Sequence, residues 1–295
     1  MQQQELIWLN GDVIPMSDAS IGVEDRGYQF ADGVYEVVRL YNGVPFTLGE
    51  HMERLQRSAD GIHMPLPMRV EAIGQAIRNF IPRTGIREGM IYLQATRGAS
   101  PRNHKFPDRP GSTLLFYARP LPPVNEPGQG DGIKLWAVDD ERWKRCWVKS
   151  IGLIGHVLAK NEALAHDCDE AVFVDNKMVS ECSTSNLFAV IRGNLVTHPV
   201  GSRVLPGITR LVVLQCAEQL GIPIDERPLS EEAARRADEL FITSTTREIA
   251  WVSQWNDHPV ARAQCGPITA RLHRAVRDRV RAETSAPRQP ARIAV

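Results

Sequence analysis

Lysine is the cation this 295-residue chain largely does without. Its 35 Lys and Arg include only six lysines, Lys105, Lys134, Lys144, Lys149, Lys160 and Lys177. Where arginine is the default cation, a lysine is kept mainly where an amine that can shed its proton is needed. Net charge is lacking too. The formal balance is zero, which argues against a nucleic acid or an anionic membrane as partner. The basic-aromatic patch Arg142-Trp143-Lys144-Arg145 is too short and isolated to read as a nucleic-acid site. The cysteines, Cys146, Cys168, Cys182, Cys216 and Cys265, are odd in number and show no CxxC spacing. They fit reduced thiols better than disulfides or a metal site. No segment is apolar for long enough to span a bilayer, and Met1–Glu5 carries neither the basic nor the apolar part of a secretory signal. A cytoplasmic protein without a metal is expected.

What the chain does have is an α+β alternation broken once. The segment Pro120–Gly132, PLPPVNEPGQGDG, reads as an interdomain linker. It divides a small N-terminal domain, residues 1–119, from a larger C-terminal domain, residues 133–283, and residues 284–295 read as a disordered tail. In the first part, strands are expected at Leu6–Leu9 and Asp12–Ile14 around Asn10-Gly11, at Gly33–Tyr41 and Val44–Phe46 around Asn42-Gly43, and at Met90–Thr96 and Thr113–Ala118. Thr47 and Glu50 have capping-box spacing and should open a helix carrying His51 and Arg54; Val70–Phe80 is a second helix. In the second part, strands at Ile133–Val138 and Trp147–Lys149 precede a helix at Gly155–His166. A meander of Glu170–Val174, Lys177–Ser180, Asn186–Ile191 and Asn194–Thr197 comes next. Then follow a helix at Gly207–Leu220, a helix capped by Ser230, a strand at Leu240–Thr243 and a last helix at Thr269–Arg281.

One ordered set of residues carries chemistry. Lys149 ends an apolar run, Cys146-Trp147-Val148, whose desolvation would lower its amine pKa. On position alone the surface lysine at a strand end is the favoured reading, and it is the residues that follow which reverse it. Glu181, ending the strand Met178-Val179-Ser180, can point a carboxylate into a cleft. Leu205-Pro206-Gly207-Ile208-Thr209 leads into a helix whose first amides have no intrahelical partners and sit at the positive end of its dipole. Ser244-Thr245-Thr246 adds hydroxyls after a strand, and Arg54 offers a bidentate fork. An amine, a buried acid and a phosphate cup are what pyridoxal phosphate asks of a protein.

The order VKS, ECSTSN, LPGITR and ITSTT, with EDRGYQFADGVYEVV and HMERL before them, resembles the fold-type IV pyridoxal-phosphate enzymes from about Leu6 to Glu248. These include D-amino-acid, branched-chain and some amine transaminases and aminodeoxychorismate lyase. The resemblance implies a two-domain fold whose larger domain has a β-barrel-like core. It implies Lys149 as the Schiff-base and proton-transfer lysine and Glu181 under the pyridine nitrogen. Arg54, Ile208, Thr209 and Thr245 would surround the phosphate, with Leu205, Gly207 and Ser244 beside them, and Ser185 and Asn186 would sit next to the ring. Cys182 and Thr184 stand where close relatives more often have Gly and Ser.

Alternation puts Tyr35, Val37 and Arg39 on one strand face. Arg102 and His104, in Ser100-Pro101-Arg102-Asn103-His104, are similar to the carboxylate trap of D-amino-acid transaminases, where the pair comes from the partner subunit of a homodimer. With Tyr35 and Val37 they would bind substrate. The expected reaction is ping-pong transamination between a D-alanine-like amino acid and a 2-oxoglutarate-like oxo acid. The rivals are a branched-chain L-amino-acid transaminase, an aminodeoxychorismate lyase and a non-catalytic dimeric scaffold; retention of both Lys149 and Glu181 argues against the last.

Overall fold

Turn chemistry lays out the first sheet. The computed structural model describes residues 5–109, 111–260 and 263–285. Asn10 and Gly11 both adopt positive φ and join β1 (Leu6–Leu9) to β2 (Asp12–Pro15). A short helix α1 (Arg26–Phe30), capped by Asp25 onto the Gly27 amide, leads into β3 (Gly33–Tyr41). Asn42-Gly43 then turns the chain into β4 (Val44–Pro45). Helices α2 (Leu48–Gly61) and α3 (Val70–Thr84) follow, then β5 (Gly89–Thr96) and β6 (Thr113–Pro120). The order β2-β1-β6-β5-β3-β4 is antiparallel throughout, and its apolar face meets α2 and α3 around Leu55, Ile77 and Phe116.

The second sheet is mixed. It contains β7 (Ile133–Asp139), β8 (Glu170–Asp175), β9 (Met178–Cys182), β10 (Asn186–Ile191), β11 (Asn194–Thr197), β12 (Ile224–Glu226), β13 (Leu229–Ser230), β14 (Glu239–Ser244) and β15 (Glu248–Trp255), in the order β12-β11-β10-β14-β15-β7-β8-β9-β13. α4 (Ile154–Ala165) crosses between the parallel strands β7 and β8, and α5 (Ile208–Gln219) crosses between β11 and β12. Ser230 caps α6 (Glu231–Arg235) through the Ala233 amide, and α7 (Pro267–Thr284) packs Leu272 and Val276 against Phe241. The fold is α+β, as expected. Of the expected tail, residues 286–295 lie outside the described residues.

Three local expectations are corrected, and one strand was missed. Trp147–Lys149 is not a strand: Cys146-Trp147 form a turn closed by Val148 N on Arg145 O (2.9 Å), and only Ser150 bridges to Val34. Thr47 makes no capping box, because its left-handed backbone (φ 51°) turns the hydroxyl back onto Phe46 O (2.8 Å). The meander is interrupted: β9 pairs with β8 and β13 while β10 pairs with β11 and β14, so the β9–β10 turn spans two separate ladders. The strand β15 went unread. Its hairpin with β14 closes on Glu248, which holds the left-handed conformation (φ 56°) that usually advertises itself with glycine.

Glu248 also ties the two sheets together. Its Oε1 accepts from Tyr41 Oη on β3 (2.6 Å) and from Arg277 Nη1 on α7 (2.9 Å), and His273 Nε2 lies 3.4 Å from Oε2. Burial alone would raise this carboxyl; His273, Tyr41 and Arg277 outweigh it and hold the group below its ordinary value. Stability from a depressed carboxyl is complete above the ordinary carboxylate range and is lost as pH falls toward the lowered value. Glu248→Ala, which strands Arg277 and Tyr41, is expected to cost about 3–5 kcal/mol at pH 7 in urea unfolding. The gap from the unsubstituted protein should shrink on acidification; a gap independent of pH counts against the ion pair as its source.

Candidate active site

The site is built between the sheets, and β3 supplies its first wall. Alternation on β3 turns Tyr35 and Val37 toward a cavity of about 480 Å³ and sends Glu36 the other way, beneath α2. Glu36 is completely buried, so it must be given donors. Arg54 supplies a fork, Nε to Oε1 at 2.7 Å and Nη2 to Oε2 at 2.8 Å, and His51 Nδ1 lies 2.7 Å from Oε2. Burial would raise the Glu36 carboxyl, but Arg54 and His51 hold it far below the usual range. Burial likewise keeps His51 below its ordinary value despite Glu36. The fork fixes Arg54, whose Nη1 reaches Pro206 O at 3.1 Å.

Pro206 stands at the start of α5. Gly207 is its N-cap, with no side-chain cap, so the Ile208 and Thr209 amides are free of intrahelical partners. Glycine is required there by close approach: a Cβ would lie 2.0 Å from Asn186 Oδ1. Arg54, Leu205, Gly207, Ile208, Thr209, Ser244 and Thr245 all line the cavity. A guanidinium, a helix N-terminus and a hydroxyl turn thus line one cavity, a set of donors that suits a phosphate.

Glu181, at 5% exposure, lines the same cavity from β9. Arg142 Nη1 donates to Oε1 (2.5 Å), while Asn186 Nδ2 and Leu205 N donate to Oε2 (3.0 Å each). Burial pushes the carboxyl up to about 7, against the pull of Arg142. Arg142 is shared: Nε and Nη2 bond Asp140 (2.9 and 3.0 Å), and its guanidinium lies 4.0 Å over the Phe173 ring. The turn after Glu181 is shaped by Glu170, which accepts from Thr184 N (2.7 Å), Thr184 Oγ1 (2.8 Å) and Ser185 Oγ (2.8 Å). Thr184 therefore has its hydroxyl committed, and burial drives the Cys182 thiol well above its usual value.

Lys149 sits along the edge of β3. Its carbonyl accepts from Tyr35 N (3.0 Å), its amide donates to Ser58 Oγ (3.1 Å), and Nζ lies 4.1 Å from the Tyr35 ring centroid. Its Nζ makes no hydrogen bond or ion pair among the described residues, whereas Lys160 Nζ on the same cavity donates to Asp169 O. His156 of α4 also lines the cavity; burial, with Arg142 and Lys149 nearby, pushes its imidazole down to about 4 and keeps it neutral.

Every expected cofactor residue, with Tyr35 and Val37, thus falls on one cavity. Arg102 and His104 do not. They are exposed on the loop between β5 and β6, where both lie against Phe30. Sequence reasoning passed over Glu36, His51, Arg142, Glu170 and His156. A charged residue inside the apolar run GVYEVV was the available signal for Glu36. Arg142 was hidden within a basic-aromatic patch that was weighed only as a nucleic-acid site.

The amino-transferase class IV family model matches residues 33–255. A D-alanine aminotransferase of Listeria monocytogenes serotype 4b (strain F2365) is 42% identical over 269 residues, covering 90% of this chain and 93% of that protein. Among solved structures, the Escherichia coli branched-chain amino acid aminotransferase superposes with a TM-score of 0.88 at 28% identity, covering 95% and 96% of the two chains. A T.th. branched-chain amino acid aminotransferase with pyridoxamine 5′-phosphate gives 0.87 at 29% identity, covering 95% of each. With the family model spanning most of its length, the chain belongs to the class IV amino-transferases.

Proposed function

We propose that this protein is a D-amino-acid transaminase, exchanging an amino group between a D-alanine-like amino acid and a 2-oxo acid of the 2-oxoglutarate kind. The observation that carries the reading is one cavity lined by the uncommitted Lys149 amine, the buried Glu181 and the N-terminus of α5. The D-specific choice is supported by the 42% identity to a D-alanine aminotransferase, against 28% to the branched-chain structure.

The cofactor is pyridoxal 5′-phosphate, and the residues fit it in kind: a phosphate cup, a buried acid and an amine in one cavity. When bound, it supplies an aldehyde that carries the amino group and a ring that accepts electrons from the substrate Cα. The Ile208 and Thr209 amides, Arg54, Ser244 and Thr245 would hold its phosphate, with Leu205 and Gly207 shaping the cup. Ser185 and Asn186 would flank the ring, and Glu181 would accept a hydrogen bond from the protonated ring nitrogen. Lys149 would hold the cofactor through its amine and would act as general base on the substrate Cα proton. In the opposite half-reaction it would deliver a proton to Cα of the incoming oxo acid.

Tyr35 and Val37 form the substrate wall. Arg102 and His104, exposed on their own chain, would bind the substrate carboxylate in the cavity of a partner within a homodimer. The apolar residues Ile154 and Leu158 on α4 and Val23 and Tyr28 near α1 are well exposed and support such a partner. The N-terminal sheet up to residue 119 and the C-terminal sheet from 133 to 283 would act as two domains joined by 120–132. Five unpaired cysteines support a cytoplasmic location.

The deciding experiment follows D-alanine and L-leucine separately with 2-oxoglutarate and determines the chirality of the glutamate formed. D-alanine should react and give D-glutamate. Turnover of L-leucine alone moves the reading to a branched-chain enzyme, and repeated release of pyruvate from aminodeoxychorismate without any oxo acid moves it to a lyase.

Lys149→Ala should abolish transamination, and borohydride reduction of the unsubstituted holoenzyme should fix the cofactor to Lys149 on peptide mapping. Label on Lys144 or Lys160 instead overturns the assignment. Glu181→Gln should retain the cofactor yet slow exchange of the D-alanine Cα proton by about 2–4 kcal/mol, the scale of losing one electrostatic partner. Exchange at the unsubstituted rate removes Glu181 from the chemistry. Arg102→Ala should raise KM for D-alanine and for 2-oxoglutarate, costing about 1.5–3 kcal/mol in kcat/KM, with cofactor affinity nearly unchanged. Lost cofactor with unaltered KM would make Arg102 structural.

A further inference from the structure

The loop that carries Arg102 and His104 runs from the end of β5 at Thr96 to the start of β6 at Thr113. A stretch of that length without regular structure leaves a charged side chain many conformations, and ordering it on binding would weaken any contact it makes. This loop is instead tied down from beneath by α1. Arg26, at 3% exposure, sends Nη1 to Asn103 O at 2.6 Å and to Lys105 O at 3.5 Å, the two carbonyls on either side of His104. Its Nε bonds Asp32 Oδ2 at 2.8 Å.

The last residue of α1 completes the arrangement. The Phe30 ring takes the Arg26 guanidinium at 4.8 Å and the Arg102 guanidinium at 4.5 Å, and the His104 ring lies 5.5 Å from it. One aromatic ring therefore underlies both members of the pair. Asp32 is itself gripped from behind: Arg97 Nε and Nη2 bond its two oxygens at 2.8 and 3.0 Å, and Arg97 is anchored on the carbonyls of Ile62 and His63. Burial would raise the Asp32 carboxyl, and Arg97 and Arg26 more than offset that, so it remains an anion between two cations. A lysine at position 26 could not replace this contact, because a single ammonium lacks the planar fork that serves Asp32 and the loop carbonyls together.

We propose that Arg26 and Phe30, aligned by Asp32, are positioning residues that preorganise Arg102 and His104 for the substrate carboxylate. The inference rests on the reading of Arg102 and His104 as carboxylate ligands given above. Phe30 supplies a flat rest that holds the guanidinium plane and the imidazole in one orientation. Arg26 fixes the backbone from which both project. The cluster is also cationic on balance, Arg26, Arg97 and Arg102 against Asp32, which suits an anionic ligand arriving from solvent.

The test uses the holoenzyme and compares Phe30→Leu, Phe30→Tyr and Arg26→Lys, each in the unsubstituted protein and in an Arg102→Ala/His104→Ala background. KM for D-alanine and 2-oxoglutarate, kcat, affinity for pyridoxamine phosphate and melting temperature are measured. Phe30→Leu should raise both KM values about threefold to thirtyfold, the range for losing one cation–π contact. Affinity for pyridoxamine phosphate should hold, and Phe30→Tyr, which restores the ring, should return KM toward its starting value. Arg26→Lys should act in the same direction; if it melts early, Phe30→Leu still decides the matter. In the doubly substituted background the effect of Phe30→Leu on KM should vanish, since the groups it positions are gone. An equal rise in KM in both backgrounds, or lost pyridoxamine phosphate affinity, overturns the positioning role. Should the double substitution itself leave KM untouched, the carboxylate reading falls and takes this inference with it. Should the double substitution raise KM while Phe30→Leu does not, only the inference falls.

Discussion

A carboxylate cut off from water must be surrounded by donors or it costs several kcal/mol, and this constraint organises the whole cavity. Three glutamates, Glu36, Glu170 and Glu181, are buried around it, and each recruits donors from segments far away in the chain. Glu36 on β3 orients Arg54 on α2, which reaches the start of α5. Glu170 on β8 fixes the turn from Thr184 to Ser185 and is approached by Arg247 (3.4 Å) from the β14–β15 turn. Glu181 on β9 gathers Arg142, Asn186 and the Leu205 amide. Apolar side chains of the same volume would fill these places, but they would not aim a guanidinium or a helix N-terminus.

The same burial sends two of these acids in opposite directions. Glu36 receives an undivided fork from Arg54 together with His51, and it stays far below the usual carboxylate range. Glu181 must share Arg142 with Asp140. One guanidinium cannot fully neutralise two acids, and the split falls unevenly: Asp140 is held low while burial wins at Glu181 and pushes it up to about 7. Asp140 also has Arg203 Nη1 at 3.7 Å, whereas Arg142 is the one cation bonded to Glu181 among the described residues. In the proposed reading a protonated ring nitrogen at Glu181 completes the balance, so the environment that makes Glu181 costly in the bare protein is what makes it a strong partner for a cation.

What was legible in the sequence was what is local. Asn10-Gly11, Asn42-Gly43 and Arg192-Gly193 demand positive φ and mark hairpins without reference to the rest of the fold. Pro206-Gly207 announced the start of α5, again a local signal though without positive φ, and the residues beside it fell on the cavity as expected. The carboxylates and their partners were not legible. Arg142 and Glu181 meet across 39 residues and Glu36 and Arg54 across 18, distances at which periodicity carries no information. The broken meander has the same cause: β10 finds its second neighbour in β14, a strand about fifty residues further on, and alternation alone cannot choose between partners. Lys149 falls on the cavity as expected although its strand does not exist, because a residue type under chemical demand can be picked out where the backbone around it cannot.

In the proposed reading the cavity of one chain would hold a phosphorylated ring but would lack a partner for a substrate carboxylate. Among the described residues, the cations lining it are Arg54, Lys149 and Lys160. Arg54 is committed to Glu36 and Pro206, and Lys160 to the Asp169 carbonyl, while Lys149 is the amine the chemistry itself consumes. No cation is left over to receive a substrate carboxylate. On the outer loop the situation is reversed. Arg102 and His104 face solvent on a foundation of Arg26, Phe30, Asp32 and Arg97, a buried charge network far more elaborate than an ordinary solvated loop needs. In the proposed homodimer a second copy of the chain would bring this outward-facing guanidinium to a cavity whose own guanidinium, Arg54, is already bonded to Glu36 and Pro206. In that reading cofactor chemistry would belong to the inside of each chain, and recognition of the Cα face to the contact between chains, where loops can differ without disturbing the buried carboxylates that hold the site.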